Sequence, residues 1–351
     1  MIVPVLEKKI EVLDLKFGIA MSRPYQMYGW PGLTRAANGD ILLAASERRF
    51  HCCPFGREVL VRSTDNGRSW TLPQEIYNSE LDDRDANLLT MPDGTVVLSW
   101  FTSTAFEPYW IERGKRISPE MRRELVGAWM MTSRDNGHTW DKEPLRMPVG
   151  NHISPSVLCD GSLLTCGAFG ADYCVFKSTD RGQSWQKIAV IPSPVKPDGR
   201  TVLNESHLLE VAPDRIVAMF RTTEANIAPI CQSESNDGGH TWTPIRELPV
   251  AGLPPQLLKL RNGVLMCSFG HRKSPYSIRA MFSHDLGRTW DTDNIVTLYQ
   301  WDNEPDMGYP STIELDDGEL LTVFYSSWRD KAPQLKEPEG ILTIRYKLRF
   351  K

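Results

Sequence analysis

Nowhere in the 351 residues is there a run of eighteen apolar side chains, so nothing in the chain reads as a membrane-spanning helix. The opening stretch MIVPVLEKKIEVLDLKF carries acidic residues where a secretory leader would be uninterruptedly apolar, and a cytoplasmic protein is expected. An excess of one charge is also lacking. Forty Lys and Arg against 44 Asp and Glu leave a formal −4, with no global basic field to draw in nucleic acid or an anionic membrane. Any recognition of an anion must therefore be local. Cysteine is sparse and odd in number: of seven, Cys159, Cys166, Cys174, Cys231 and Cys267 fall in apolar strand-like runs, which predicts buried free thiols. His51-Cys52-Cys53 is too cramped for all three to close a tetrahedral site, so neither a metal nor a cofactor is expected.

What the chain has in quantity is turn punctuation, 25 Gly and 25 Pro, and a repeat. The octet Ser-x-Asp-x-Gly-x-x-Trp occurs five times, as Ser63 to Trp70, Ser133 to Trp140, Ser178 to Trp185, Ser235 to Trp242 and Ser283 to Trp290. Recurrence at this spacing signals a radially repeated or stacked architecture. Each octet should be a turn in which Asp and Ser bond the local backbone, Gly supplies a positive φ, and Trp packs on the blade beside it.

Ahead of each octet lie two strand-like runs joined by a tight turn, and a third run leads into the octet. The turns recur at Asn38-Gly39, Asp93-Gly94, Asp160-Gly161, Pro213-Asp214, Asn262-Gly263 and Asp317-Gly318. Units thus begin near Trp30, Asp85, His152, Glu205, Gln256 and Tyr309, and the sixth ends in ILTIRYKLRF with no octet. The expected fold is all-β: a single domain over 1–351, a six-bladed propeller of four-stranded antiparallel blades. EVLDLKF, residues 11–17, would supply the outer strand of the last blade.

In such blades the starts of first strands and the ends of second strands converge at one mouth of the axis. Those positions here are unusually polar and aromatic. They include Trp30, Arg48, Arg49, His51, Arg84, Asp85, His152, Glu205, Arg221, His271, Arg272 and Tyr309, the composition that a polar-ligand pocket requires.

Octets of this kind on a six-bladed propeller resemble the sialidase (neuraminidase) superfamily, over residues from about 25 onward. The resemblance implies a glycoside hydrolase acting on a carbohydrate, with a tyrosine nucleophile and a glutamate as its base. Tyr309 in GYPSTIEL and Glu205 in NESHLLEV match those two positions. It also implies a carboxylate clamp of three arginines. Arg221 in VAMFRT is similar to the second, and Arg272 in GHRKSPYSIR to the third, with Arg279 as a competing assignment. The first arginine is missing: Gly29 stands in its place, and Arg48, Arg49 or Arg84 could substitute from the same rim. Missing too is the aspartate that serves the family as general acid, since ERRFHCCPFGRE has Cys53 near the expected spot. Asp85 is the first substitute as proton donor, followed by His51 and His152. Trp30 offers a flat face for a sugar ring, and His271 lies on the rim among the substrate-binding candidates.

These departures point to an exo-glycosidase with shifted specificity for a terminal acidic sugar. Two other readings stay open: a polysaccharide lyase that abstracts a proton beside a uronate carboxylate, and a non-catalytic carbohydrate-binding propeller.

Overall fold

The computed structural model describes residues 10–149, 155–169, 172–194, 196, 202–222, 228–301, 306–326 and 340–351. Twenty-four strands form six four-stranded antiparallel sheets, the blades of a propeller. In each blade the strands follow one another from the axis outward. Blade 1 is β2 (Met27–Arg35), β3 (Ile41–Arg48), β4 (Arg57–Ser63) and β5 (Gln74–Tyr77). Blade 2 is β6 (Asp82–Thr90), β7 (Val96–Ser103), β8 (Ala128–Ser133) and β9 (Leu145–Arg146). Blade 3 is β10 (Ser156–Val157), β11 (Leu163–Phe169), β12 (Asp172–Ser178) and β13 (Gln186–Ile191). Blade 4 is β14 (Leu203–Ala212), β15 (Arg215–Thr222), β16 (Pro229–Ser235) and β17 (Arg246–Ala251). Blade 5 is β18 (Leu253–Lys259), β19 (Leu265–His271), β20 (Tyr276–Ser283) and β21 (Asp291–Trp301). Blade 6 is β22 (Met307–Glu314), β23 (Leu320–Ser326), β24 (Gly340–Phe350) and, as its outermost strand, β1 (Ile10–Met21). Ile10 pairs with Phe350 and Phe17 with Ile344, so the N-terminal strand is zipped onto the C-terminal one.

The hydrophobic faces of these sheets meet in six apolar clusters, each shared by two neighbouring blades. Leu42 and Leu98 pack between blades 1 and 2, Met130 and Cys174 between 2 and 3, and Leu164 and Phe220 between 3 and 4. Met219 and Phe269 follow between 4 and 5, then Phe282 and Phe324, and finally Leu43 and Tyr325 between blades 6 and 1. Every interface is filled, and the ring is closed.

The octets lie in the connections from third to fourth strand, at the end of the blades opposite the mouth. In the first, Ser63 Oγ donates to Asp65 Oδ1 (2.7 Å) and accepts from Gly67 N (2.8 Å), while Asp65 Oδ1 accepts from Ser69 N (2.9 Å). The glycine has φ +75°, a conformation costly for any residue with a Cβ. Each octet leans backwards along the chain. Trp140 of blade 2 packs into the core shared with blade 1, and a Cβ at Gly137 would stand 2.7 Å from Leu42 of that blade. Trp185, Trp242 and Trp290 likewise join the cores shared with blades 2, 3 and 4. Trp70 of blade 1 reaches the core shared with blade 6.

Two features depart from the sequence reading. Between β7 and β8 the chain inserts two short helices, α1 (Glu107–Ile111) and α2 (Pro119–Leu125), over a small core of Leu81, Phe106 and Ile117. Cys159 is exposed, because it sits at the Cys159-Asp160 turn and not within the strand; Cys166, Cys174, Cys231 and Cys267 are buried free thiols as expected.

Candidate active site

Three residues at the mouth hold strained backbone. Trp30, Asp85 and Tyr309 have φ of 52°, 65° and 54°, and each marks a register shift in the first strand of its blade. Non-glycine residues in this conformation cost about 1–3 kcal/mol each and persist only where the surroundings enforce them. The bulge turns the side chain from the pleat toward the axis. Glu205 sits at the equivalent shift in β14, between Leu203 and Ser206.

Tyr309 and Glu205 are hydrogen-bonded, the phenol donating to Oε1. Arg221 Nη1 lies 2.9 and 2.8 Å from the two oxygens of Glu205 and 3.2 Å from the Tyr309 hydroxyl, so three chain-distant groups form one unit. Burial, then the negative charges of Glu205 and Asp85, push the Tyr309 phenol well above its ordinary value, while Arg221 and Arg272 act the other way. The resting tyrosine is therefore neutral. Arg272 donates from Nε to Met307 O (2.8 Å) and from Nη2 to the Tyr325 hydroxyl (2.8 Å), which in turn donates to Asp306 Oδ1 (2.7 Å). Asp306 also binds His51, whose Nδ1 is 3.0 Å from Oδ2.

A second group of charges stands on the other side. Arg84 lays its guanidinium 3.9 Å from the ring centre of Trp30, with Asp85 at 3.5 Å and Asp82 at 3.8 Å. Arg48 also lies over Trp30, at 4.5 Å, and binds Asp82 at 2.7 Å with both side chains wholly out of solvent. Burial drives neighbouring Glu58 well above the carboxylate range and Asp83 up to about 6.

Trp30, His51, Cys52, Arg84, Phe101–Ala105, Val126, Asn204, Glu205, Arg221, Arg272 and Tyr309 enclose an open cleft of about 500 Å³. Three guanidinium groups and one carboxylate, Glu205, line the cleft, with Asp82, Asp85 and Asp306 behind them, so an entering anion meets mostly guanidinium groups although the site as a whole is close to charge balance. The insertion carrying α1 and α2 contributes Ala105 and Val126 at either end to one wall. Beneath the cleft, Asp85, Glu205, His207, Gln256 and Ser311 line a narrow axial channel of about 110 Å³. Among the described residues no cluster of His, Cys, Asp and Glu is arranged to hold a metal.

The structure thus brings Tyr309, Glu205, Arg221, Arg272, Arg84 and Asp85 together and sets other candidates aside. Arg49 is exposed and rests on Phe50, because it follows the last residue of β3 and turns outward. Arg279 lies inside β20, where its Nε donates to Ser277 Oγ, and it does not line the cleft. His271 is held at Ala251 O (3.3 Å), off the cleft. Trp30 is 2% exposed, its faces taken by guanidinium groups, so it offers no open platform for a sugar ring. Cys53 is buried, and it is Cys52 that reaches the cleft. His152 lies outside the described residues. Tyr325 and Asp306 are also among the strand ends that the blade pattern carries to the axis, but the sequence assigns neither a role in the site. The repeat holds a signal for the latter, since Asp306 precedes the bulge residue Tyr309 by three positions, as Asp82 precedes Asp85.

A family model described as BNR repeat-like domain matches residues 21–209 and 174–322. A solved protein of unknown function from Dyadobacter fermentans is 22% identical, with a TM-score of 0.78 over 97% of this chain and all of that one. The NanB sialidase of Streptococcus pneumoniae is 14% identical, with a TM-score of 0.65 over 94% of this chain and 71% of that one. A curated xyloglucanase from a Paenibacillus species is 21% identical over 60% of this chain, and the match spans only 22% of that protein's length.

Proposed function

The chain belongs to the BNR repeat-like family, with a sialidase-like propeller, and on that premise we propose that it is a retaining exo-glycoside hydrolase acting on a terminal sugar that bears a carboxylate. The observation that carries the proposal is the Tyr309–Glu205 hydrogen bond bridged by Arg221.

A neutral phenol is a poor nucleophile, and one pushed upward in pKa does not ionise beforehand. Glu205 takes the proton as the Tyr309 oxygen attacks the anomeric carbon, giving a covalent glycosyl-enzyme. Most glycosidases work with two carboxylates; a tyrosine nucleophile avoids setting a formal charge against an anionic sugar. Arg221 then stays paired with a carboxyl group that turns neutral, which frees its charge for the substrate. Arg221 and Arg272 supply two forks of the carboxylate clamp, and Arg84 supplies the third where Gly29 cannot. Asp85, 3% exposed beside Arg84, holds that guanidinium and adds negative potential at Tyr309. As a sugar ring would develop positive charge in the transition state, that potential is stabilising there.

The test is a panel of 4-nitrophenyl glycosides of N-acetylneuraminic acid, other ketodeoxy sugar acids, glucuronic acid and neutral sugars, with product configuration followed by NMR. Release from an acidic sugar with net retention is expected. Turnover confined to neutral sugars, inversion, or an unsaturated product absorbing in the near ultraviolet would each defeat the reading.

A further inference from the structure

The loop after β3 has no aspartate to protonate a leaving group, but it carries His51, and that residue is bound to the opposite end of the sequence. His51 Nδ1 lies 3.0 Å from Asp306 Oδ2, across 255 residues of chain. Asp306, 7% exposed, is itself fixed by the Tyr325 hydroxyl at 2.7 Å, and Tyr325 by Arg272 at 2.8 Å. The imidazole packs edge-on to Trp30 at 5.2 Å, and Tyr309 packs edge-on to the same ring at 6.4 Å. The His51 side chain keeps 27% of its surface open, and both His51 and Tyr309 line the cleft. A histidine whose Nδ1 is engaged by a carboxylate has its tautomer and orientation set, with Nε2 left as the ring nitrogen for exchange with a ligand.

We infer that His51 is the general acid and base of this site and that Asp306 is its positioning residue. The inference rests on the hydrolase reading above. In the first step the Tyr309 oxygen bonds the anomeric carbon and its proton passes to Glu205. The bond to the leaving oxygen breaks, and that oxygen takes the Nε2 proton of the His51 imidazolium. In the second step water attacks the anomeric carbon and gives its proton to His51, while the departing Tyr309 oxygen recovers its proton from Glu205. Both groups return to their starting states. Asp85 fits this role less well, because it is more deeply buried and is already held by Arg84. Cys52, the neighbouring residue at the cleft, is the other titratable group at this wall, along with Arg84 above Trp30 and Arg48, whose Nη1 reaches His51 O at 3.5 Å.

An acid is needed in proportion to how poor the leaving group is, and this separates its role from a structural one. The probes are the 4-nitrophenyl and lactosyl glycosides of N-acetylneuraminic acid and of glucuronic acid. With His51→Ala, kcat/KM for a lactosyl glycoside should fall by about 10²–10⁴ and that for the matching 4-nitrophenyl glycoside by less than about 10-fold. Added imidazole should restore part of the lactosyl activity. Asp306→Asn should show the same selectivity for leaving group at smaller amplitude, and His51→Gln, which fills the space beside Trp30, should behave as His51→Ala does. Equal losses on both leaving groups, or an unchanged ratio, would overturn the assignment of His51 while leaving the hydrolase reading in place. If Asp85→Asn instead gives the selective loss, Asp85 is the acid and the assignment of His51 falls. Where another ketodeoxy sugar acid is the better substrate of the panel, its 4-nitrophenyl and lactosyl glycosides replace these probes, and failure of the wild type to cleave any acidic glycoside of the panel would overturn the hydrolase reading, and this inference with it.

Discussion

Replacing Tyr309 by Phe removes a single oxygen, and the structure separates what that oxygen does for stability from what it does for chemistry. The ring keeps its neighbours, Trp30 at 6.4 Å and Tyr325 at 5.7 Å between centroids. Glu205 keeps both contacts from Arg221 Nη1, at 2.8 and 2.9 Å, so no buried carboxylate loses its counter-charge. The stability lost is two hydrogen bonds, one donated to Glu205 and one accepted from Arg221, net about 1–2 kcal/mol. At roughly 2–4 °C per kcal/mol the melting temperature should drop by only a few degrees. Arg84, Arg221 and Arg272, proposed above to clamp the sugar carboxylate, are untouched, so affinity should change by less than about threefold, or ~0.6 kcal/mol. Turnover should fall by on the order of 10³-fold or more, because the covalent route is closed. Differential scanning fluorimetry, calorimetric titration with the free sugar acid and initial rates on its 4-nitrophenyl glycoside measure the three quantities. A variant that retains more than about a tenth of wild-type turnover refutes the nucleophile. A melting temperature lowered by about 10 °C or more would show that the hydroxyl chiefly holds the mouth together.

Removing residues 1–21 should abolish the cooperative melt or lower its midpoint by about 10 °C or more, since β1 covers the whole of β24; an unchanged thermogram would contradict the observed pairing. Gly137→Ala places a Cβ at φ +79° and 2.7 Å from Leu42, which should cost about 1–3 kcal/mol more in urea melts than Gly114→Ala, where φ +71° costs an alanine about 1–2 kcal/mol but the added Cβ meets nothing within 4 Å. The octet carboxylates Asp65, Asp180 and Asp237 are pulled down to about 2, first of all by the hydroxyl four residues on. Depressed in the folded state, they contribute stability that is present above about pH 4 and lost as pH falls toward 2. Urea midpoints between pH 5 and 2.5 should decline, and Asp237→Asn should flatten that decline slightly; a steeper decline would reverse the sign.

The repeat made the fold legible. Local patterns decide hairpins and octet turns, and the first strands start at Met27, Asp82, Leu203, Leu253 and Met307, within three residues of the expected starts in those five blades. Tyr309, Glu205, Arg221 and Arg272 were legible for a related reason, because blade topology alone carries strand ends to one mouth. What stayed hidden depends on distances that the period does not encode. Nothing in ERRFHCC distinguishes Arg48, wholly buried on Asp82, from Arg49, exposed on Phe50. Side alternation along β20 sends Arg279 away from the cleft, and the flat ring of Trp30 is covered by two guanidinium groups from distant strand ends. The His51–Asp306 contact joins blade 1 to blade 6 and exists only once the ring has closed.

Five octets serve six blades, and the exception has a mechanical reason. An octet is a turn: it needs a continuous chain from third strand to fourth, and in blade 6 those strands are β24 and β1, from opposite ends of the sequence. The one interface without an octet tryptophan is the interface between blades 5 and 6, where Trp301, Tyr346 and Phe350 fill the space instead. The latch of the ring is therefore the β1–β24 pairing inside blade 6, while the other five blades are each built from a continuous stretch of chain. A circular permutant that tied residue 351 to residue 10 through a borrowed octet and opened the ring at another blade would move the latch without moving the mouth, which lies at the far end of every blade.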